Sequence, residues 1–390
     1  MTQLCIPCNW DYKLIESLSH SKHTLYGKLG IDEIGGGRPA CKLPQPAKRF
    51  VKNYIKKART KGLNFSYLLN SSCLGNREFT RVGYRSIINL LEWVEGTGAN
   101  YITVAIPYLA ELIKAKFPKF KISVSKMAFV SSAQQAKFWQ DIGVSEITLD
   151  PNITRNFRRL EEIKKVAKTE LVLLVNEACL FHCPYVYYHV NSDSHASQSA
   201  NINAYICYSR LFCERAFISK PEQIIKSMFI RPEDLHFYEE IGISKFKLVG
   251  RARPTEWILR AAKAYFQRKY DGNLADILGT FSAYKNMPEE KPNLLKLNDI
   301  NGLDSIERLR KSNLLRPKIY IDNGALDNFL DFFKRFDCES ISCGKCGYCQ
   351  KYAKRAVHIP KAKQKTVLKN LDNLMRWVRN GQLLNYYASG

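Results

Sequence analysis

Short runs rich in β-branched and aromatic residues alternate along the chain with longer stretches whose apolar residues recur every three or four positions. The first kind predicts strands: TLYGKLG (24–30), LNFSYLLN (63–70), YITVAIP (101–107), KISVSKMAFV (121–130), SEITLDP (145–151), ELVLLVN (170–176), SMFIRPE (227–233) and KFKLVG (245–250). The second predicts amphipathic helices, among them AKRFVKNYIKKARTK, YRSIINLLEWVEGTG, SAQQAKFWQDIG and RNFRRLEEIKKVA. Several of them close on the glycine that commonly stops a helix.

Eight strands mostly separated by helices predict an α/β protein with a parallel sheet, and eight is the number that closes a TIM-type (β/α)8 barrel. An open doubly wound sheet is the runner-up, and no GxGxxG fingerprint supports it. Residues 177–226 break the rhythm with a long Cys-, Tyr-, Ser- and Asn-rich insertion after strand six. Loops of that length are usually functional or disordered. The expected organisation is a barrel over 1–283 containing the insertion at 177–226, a linker and connecting segment over 284–324, and a Cys-rich helical appendage over 325–390.

No run approaches the ~20 apolar residues of a membrane span, and the N-terminus MTQLCIPCNWDYKLIESL lacks the layout of a secretory signal. The expectation is a soluble, cytoplasmic protein. With 60 Lys and Arg against 36 Asp and Glu, the formal charge of +24 favours an anionic partner, either a small molecule or RNA. Twelve cysteines in a reducing compartment point to metal ligands before disulfides.

CESISCGKCGYC is the most specific local signal: Cys338, Cys343, Cys346 and Cys349 form C-x4-C-x2-C-x2-C. Gly344 and Gly347 permit the tight winding that points several thiolates inward. That spacing favours an iron–sulfur cluster over zinc, whose structural sites pair two separated CxxC knuckles. A second set is looser. In NEACLFHCPYV, Cys179 and Cys183 open like the CxxxCxxC loop of radical SAM enzymes, but Val186 occupies the third position. Cys207 and Cys213 in YICYSRLFC bring the set to the four thiolates of a [4Fe–4S] cluster, or are ordinary buried thiols. One [4Fe–4S] cluster is expected and a second is open. Cys5 and Cys8 read as an incidental CxxC.

In a barrel, polar residues beyond the strands share one pocket. Glu177, Glu233 and His189 are candidate acid–base groups. Gly36, Gly37, Arg38, Asn70, Asn76, Arg231, Arg251 and Arg253 are candidate substrate ligands, the arginines for carboxylates or phosphates. Taken singly, GGGRP and GRARP also read as turns with surface arginines. No Ser/His/Asp order, HExxH or Walker loop is present.

YGKLGIDEIGGGRP, NFSYLLNSSCLGNREF, TVAIPYLAELI, NEACLFHCPY, FIRPEDLHFYEEIGISKFKLVGRARPTEWI, YDGNL and CGKCGYC together resemble peptidase family U32, nearest its stand-alone, iron–sulfur branch. The resemblance runs from about residue 20 to 357. It implies a TIM-type barrel and an oxygen-sensitive [4Fe–4S] cluster. Members include proteins once called collagenase-like peptidases and others needed for oxygen-independent hydroxylation of a ubiquinone precursor or of RNA bases, with prephenate implicated as oxygen source in some. The peptidase-named members carry an acid followed shortly by HG and a cysteine; VNEACLFHC has Glu177 before Cys179 and no HG.

Three functions follow as expectations. The first is a cluster-dependent hydroxylase or related modifying enzyme acting on an anionic or aromatic small molecule or an RNA base. The second is a U32-type peptidase. The third is a non-catalytic electron-transfer partner of an electron donor or a homologous U32 subunit.

Overall fold

In β3, Asn64–Leu69, the side chains of Phe65 and Tyr67 turn outward onto Trp10 and Trp93, while Ser66 and Leu68 turn inward. That two-residue alternation, repeated around the sheet, gives an apolar shell for the helices and a partly polar interior, where Ser66 and Thr103 hydrogen-bond at 2.7 Å. The computed structural model describes residues 2–19, 23–201, 207–281 and 317–381.

Eight parallel strands close in chain order. They are β1 Gln3–Pro7, β2 Thr24–Gly27, β3, β4 Tyr101–Val104, β5 Lys121–Val124, β6 Glu146–Thr148, β7 Glu170–Leu174 and β8 Lys245–Lys247. Closure pairs Gln3 with Lys245. Helices α1 Tyr12–Leu18, α2 Lys48–Thr60, α3 Arg81–Glu95, α4 Pro107–Lys116, α5 Ala133–Ile142 and α6 Phe157–Val166 fill the first six connections. Side-chain caps start several of them: Asp11, Thr80, Ser132 and Asn156 each accept a backbone N–H of the first turn. The β7–β8 connection carries α7 Val186–His195, α8 Tyr208–Ser219, α9 Glu222–Lys226 and α10 Leu235–Glu240, and α11 Thr255–Gln267 follows β8.

The barrel is the expected fold, but two strands differ from the sequence reading. β1 went unread because five residues ending in proline carry little periodic signal. Residues 227–232 are buried and Glu233 is partly so, but they form no strand. Arg155 donates to the carbonyls of Ile225 and Ser227, each at 2.7 Å. Tyr265 donates to that of Ile230, and Pro232 has no amide to give. One backbone bond, Ile230 N–H to Val175, ties the segment to the end of β7. The strand numbered sixth in the sequence is therefore β7, and the Cys-rich insertion spans the β7–β8 connection.

The floor of the barrel is closed by a buried ion pair. Lys245 lies 2.5 Å from Glu146 and 3.0 Å from Glu170. Burial works against its charge, but Glu146 outweighs that and holds the ammonium well above its usual range.

Residues 317–381 pack on the barrel's outer shell. β9 Tyr320–Ile321 pairs antiparallel with β10 Val357–His358; α12 Asp331–Arg335, α13 Cys343–Cys346, α14 Tyr348–Ala356 and α15 Lys361–Arg379 complete this part. Ile321, Leu326, Phe329 and Phe333 join the same apolar core as the barrel helices. Val367 and Leu371 of α15 pack on Ile218 of α8. Of the segment expected to connect the two parts, 284–316 lies outside the described residues, as do 382–390 of the appendage. No helix of the described residues is long and apolar enough to cross a membrane.

Candidate functional site

The loop after β2 reaches back over the barrel mouth and is held by backbone amides. Asp32 accepts from the amides of Ile34 and Gly35, and Gly36 N–H donates to Ser197 at the end of the insertion helix. Gly35 has φ +76°, and a Cβ there would stand 2.6 Å from the Ser194 carbonyl. On Gly36 and Gly37 a Cβ would meet the Asn70 Oδ1 at 2.8 Å and the Met127 sulfur at 2.6 Å. The triple glycine, expected to cradle an anion, is a packing device with the Gly35 and Gly36 amides already engaged. It delivers Arg38 to the mouth.

Glu177, three residues past the end of β7, is the centre of the mouth. It is buried and pairs with Lys126 from the loop after β5; Arg38 lies 3.8 Å away. Burial alone would raise its pKa, but Lys126 and Arg38 outweigh that and hold the carboxyl below the usual carboxylate value, with His189 contributing. Glu177 is accordingly a standing anion, suited to orienting Lys126 and less to donating a proton.

Beneath this network lie three more cations: Arg251, an expected site residue, and Lys28 and Lys247, which sequence reasoning did not single out. Lys28 is buried, 2.9 Å from Asp32, and burial lowers its pKa despite that partner. Lys247, the last residue of β8, lies over the Tyr26 ring at 4.6 Å. Arg251 is buried, its Nη1 has no hydrogen-bond partner among the described residues, and burial pushes its pKa down to about 10. Arg251 lies within electrostatic reach of Lys28, Lys247, Arg38 and Tyr26. A buried guanidinium with one unpaired nitrogen among further cations has the chemistry to accept an anion.

The first cysteine set borders the same network. Cys179 is exposed to the mouth, yet protein crowds its thiol: desolvation, with Glu177 beside it, pushes it up to about 11, against Lys126 and Arg38. Cys179 senses Cys183, and Cys213 senses both Cys179 and Cys207, so the four expected ligands share one neighbourhood. Cys213 is pushed up to about 12 by burial. The Cys207 sulfur lies 3.6 Å from His189 Nε2, which is 3.7 Å from Asp193.

The second set gathers over α6 and α9. Cys338, Cys343 and Cys349 line a cavity of ≈ 30 Å³ with Arg155, Lys226 and Phe181, and Cys346 is within electrostatic reach of Cys338. Burial raises the Cys338 thiol and pushes Cys349 up to about 11, opposed in each by Arg155. The two sets approach one another through His182, beside Cys183, and Glu339, beside Cys338, which are 3.1 Å apart. Among the described residues, no three His, Cys, Asp or Glu side chains stand close enough to hold a single metal ion.

Several expected site residues are placed elsewhere. Arg231 makes a two-pronged bond to Asp234, each contact 2.8 Å, and also holds the Asn323 carbonyl and Asp327. Glu233 accepts from Tyr270 N–H and Asn323. Both tie residues 323–327 to the barrel; neither belongs to the mouth. Arg253 donates to the Gly279 carbonyl and stacks on Trp257, fastening the turn after β8. Asn76 is an exposed left-handed turn residue, φ 62°. Asn70 does face the mouth loop, donating to Ser125, with its Oδ1 buried and unpartnered among the described residues.

The sequence profile of peptidase family U32 matches residues 26–276. A curated relative, the uncharacterized protease MJ1657 of Methanocaldococcus jannaschii, is 32% identical over 348 residues, covering 89% of this chain and 92% of the relative. Among solved structures, the U32 peptidase Mk0906 superposes with a TM-score of 0.50 at 20% identity, over 65% of this chain and 94% of that one. This last likeness is one of fold.

Proposed function

The chain belongs to peptidase family U32, and on that premise we propose an iron–sulfur-dependent enzyme that modifies, by oxygen-independent hydroxylation or related chemistry, an anionic substrate held at the barrel mouth. The observation that carries the reading is the shared wall: Cys179 borders the Glu177–Lys126–Arg38 network above the orphaned Arg251 guanidinium. A redox centre and an anion receptor then meet at one point.

The donors suit a thiolate-ligated cluster. Cys179, Cys183, Cys207 and Cys213 would hold one; Cys338, Cys343, Cys346 and Cys349, with Arg155 and Lys226 to offset the negative charge, would hold a second. A cluster spreads its four thiolates over several irons, so its ligands stand farther apart than those of one ion. When bound, it supplies electron transfer and Lewis acidity toward an oxygen donor. The chain's own residues do the rest. Arg251 and Arg38 hold the substrate's acid group, Glu177 keeps Lys126 in place, and His189 is the group beside Glu177 able to exchange a proton. The +24 charge suits a small anion or an RNA end equally.

Anaerobic purification tests the reading. The protein is expected brown, with a reduced-state electron paramagnetic resonance signal that shifts when a carboxylate such as citrate is added. In Arg251→Ala the signal stays and the shift is lost. A colourless protein, or a signal indifferent to every anion, would count against it.

One contact favours peptidase chemistry instead: the Cys207–His189–Asp193 chain resembles a nucleophile, a base and an orienting acid. Both partners, however, approach the same ring nitrogen, whereas an orienting acid holds the other one. Casein cleavage abolished by Cys207→Ser would establish that reading; no cleavage by the wild type removes it.

A further inference from the structure

Lys247 is a cation of the barrel mouth that no carboxylate among the described residues engages. Alternation fixes its direction. Phe246 and Leu248 are fully buried toward the helices, so Lys245 and Lys247 on the same strand face point into the barrel. Lys245 is consumed by the floor ion pair. Lys247 sits one step higher, at the C-terminal end of β8, the end where barrel enzymes place their chemistry. It is partly accessible although it points inward, so it opens on the mouth and not on the floor. Among the described residues no carboxylate pairs with it, and its contact is the face of Tyr26.

The charged and titratable groups around it come from every side. Cys5 faces it from β1, Tyr26 from β2, Glu146 from β6, Lys245 from β8, and Arg251 from beyond β8. Glu146 is already tied to Lys245, and burial pushes the Cys5 thiol up to about 12, so neither offers a free anion. Desolvation, with Arg251 and Lys245 nearby, lowers the Lys247 pKa. A desolvated lysine beside another cation is the usual way a protein keeps a neutral, nucleophilic amine.

We propose that Lys247 is a carbonyl-reactive catalytic residue, forming an imine with an aldehyde or ketone whose acid group is held by Arg251. The step balances without any other reactant. The amine lone pair attacks the carbonyl carbon, a C–N bond forms, and one nitrogen proton passes to the oxygen, giving a carbinolamine. The second nitrogen proton then passes to that hydroxyl, the C–O bond breaks to release water, and C=N closes. Water reverses the sequence. An oxo acid is thus the substrate class, with its carboxylate on Arg251 and its carbonyl on Lys247. This rests on the anion-receptor part of the proposed function and not on the cluster.

The test is reductive trapping on the full chain with glyoxylate and cyanoborohydride near neutral pH, followed by peptide mass mapping. The expected result is a carboxymethyl adduct at Lys247 at least ~10-fold above that at exposed lysines, because those remain protonated. Acetate should suppress it, Arg251→Ala should reduce it without altering the exposed sites, and Lys247→Arg should remove it. Adducts spread over exposed lysines with Lys247 unmodified would overturn the proposal. In that event, acetate binding followed by ligand-detected NMR in Lys247→Arg shows whether the receptor itself stands. Trapping at Lys247 in protein free of iron would leave the imine intact and fault the cluster.

Discussion

Glu177 has two cationic neighbours, Lys126 and Arg38, and one job, to remain charged. Its folded pKa lies below the usual carboxylate value of 4.5, so the network's contribution is present above that value and is lost as pH falls through the folded pKa. Glu177→Gln should therefore cost about 1–2 kcal/mol at pH 7, since Lys126 and Arg38 are left facing one another with part of their charge still in water. Well below 4.5, as pH passes through the lowered folded pKa, the difference between variant and wild type should shrink toward zero. Urea titration at the two pH values checks this. A cost independent of pH would mean that Glu177 acts through packing alone. At this scale the sequence marked Arg38, Arg251, Glu177 and the thiols because their residue types are scarce and chemically loud. Lys28 and Lys247 were lost among a large excess of basic residues, although KFK with Phe246 and Leu248 on the opposite face does state that both lysines point inward.

At the scale of elements, the clamp on Arg231 joins three chain segments: its own turn, the Asp234 start of α10, and residues 323–327. Removing a buried guanidinium strands Asp234 and the Asn323 carbonyl. Arg231→Ala should cost about 3 kcal/mol and loosen residues 317–381 from the barrel before the barrel itself unfolds. Limited proteolysis should show early cleavage after residue 317 in the variant and not in the wild type; simultaneous loss of both parts would contradict this. Arg231 and Glu233 looked like site residues because an arginine and an acid beside an apparent strand end imitate a mouth. The apparent strand 227–233 is instead a buried run whose carbonyls are held by Arg155 and Tyr265, bonds between residues far apart in sequence that no local pattern records. β1 was hidden for the opposite reason: it is too short to show a period, and only its pairing with β2 and β8 makes it a strand. The missing and the surplus strand offset one another, so the barrel's count was read correctly from two wrong elements.

At the scale of the molecule, the barrel places the proposed anion receptor beside four thiols, and the C-terminal part adds four more thiols on the flank, reached through His182 and Glu339. NEACLFHCPYV is the exit of β7 and lines that mouth; Val186 opens α7 and stands in no ligand's place. The proposed function places iron on thiol sets in two parts of the chain. Iron and acid-labile sulfide counting on anaerobically purified protein tests it most directly, comparing the wild type with Cys179→Ala/Cys183→Ala and with Cys343→Ala/Cys346→Ala. Equal iron and sulfide are expected in the wild type, with loss of about half of each in either double variant. Zinc in place of iron, or full retention of iron in the first variant, would contradict it.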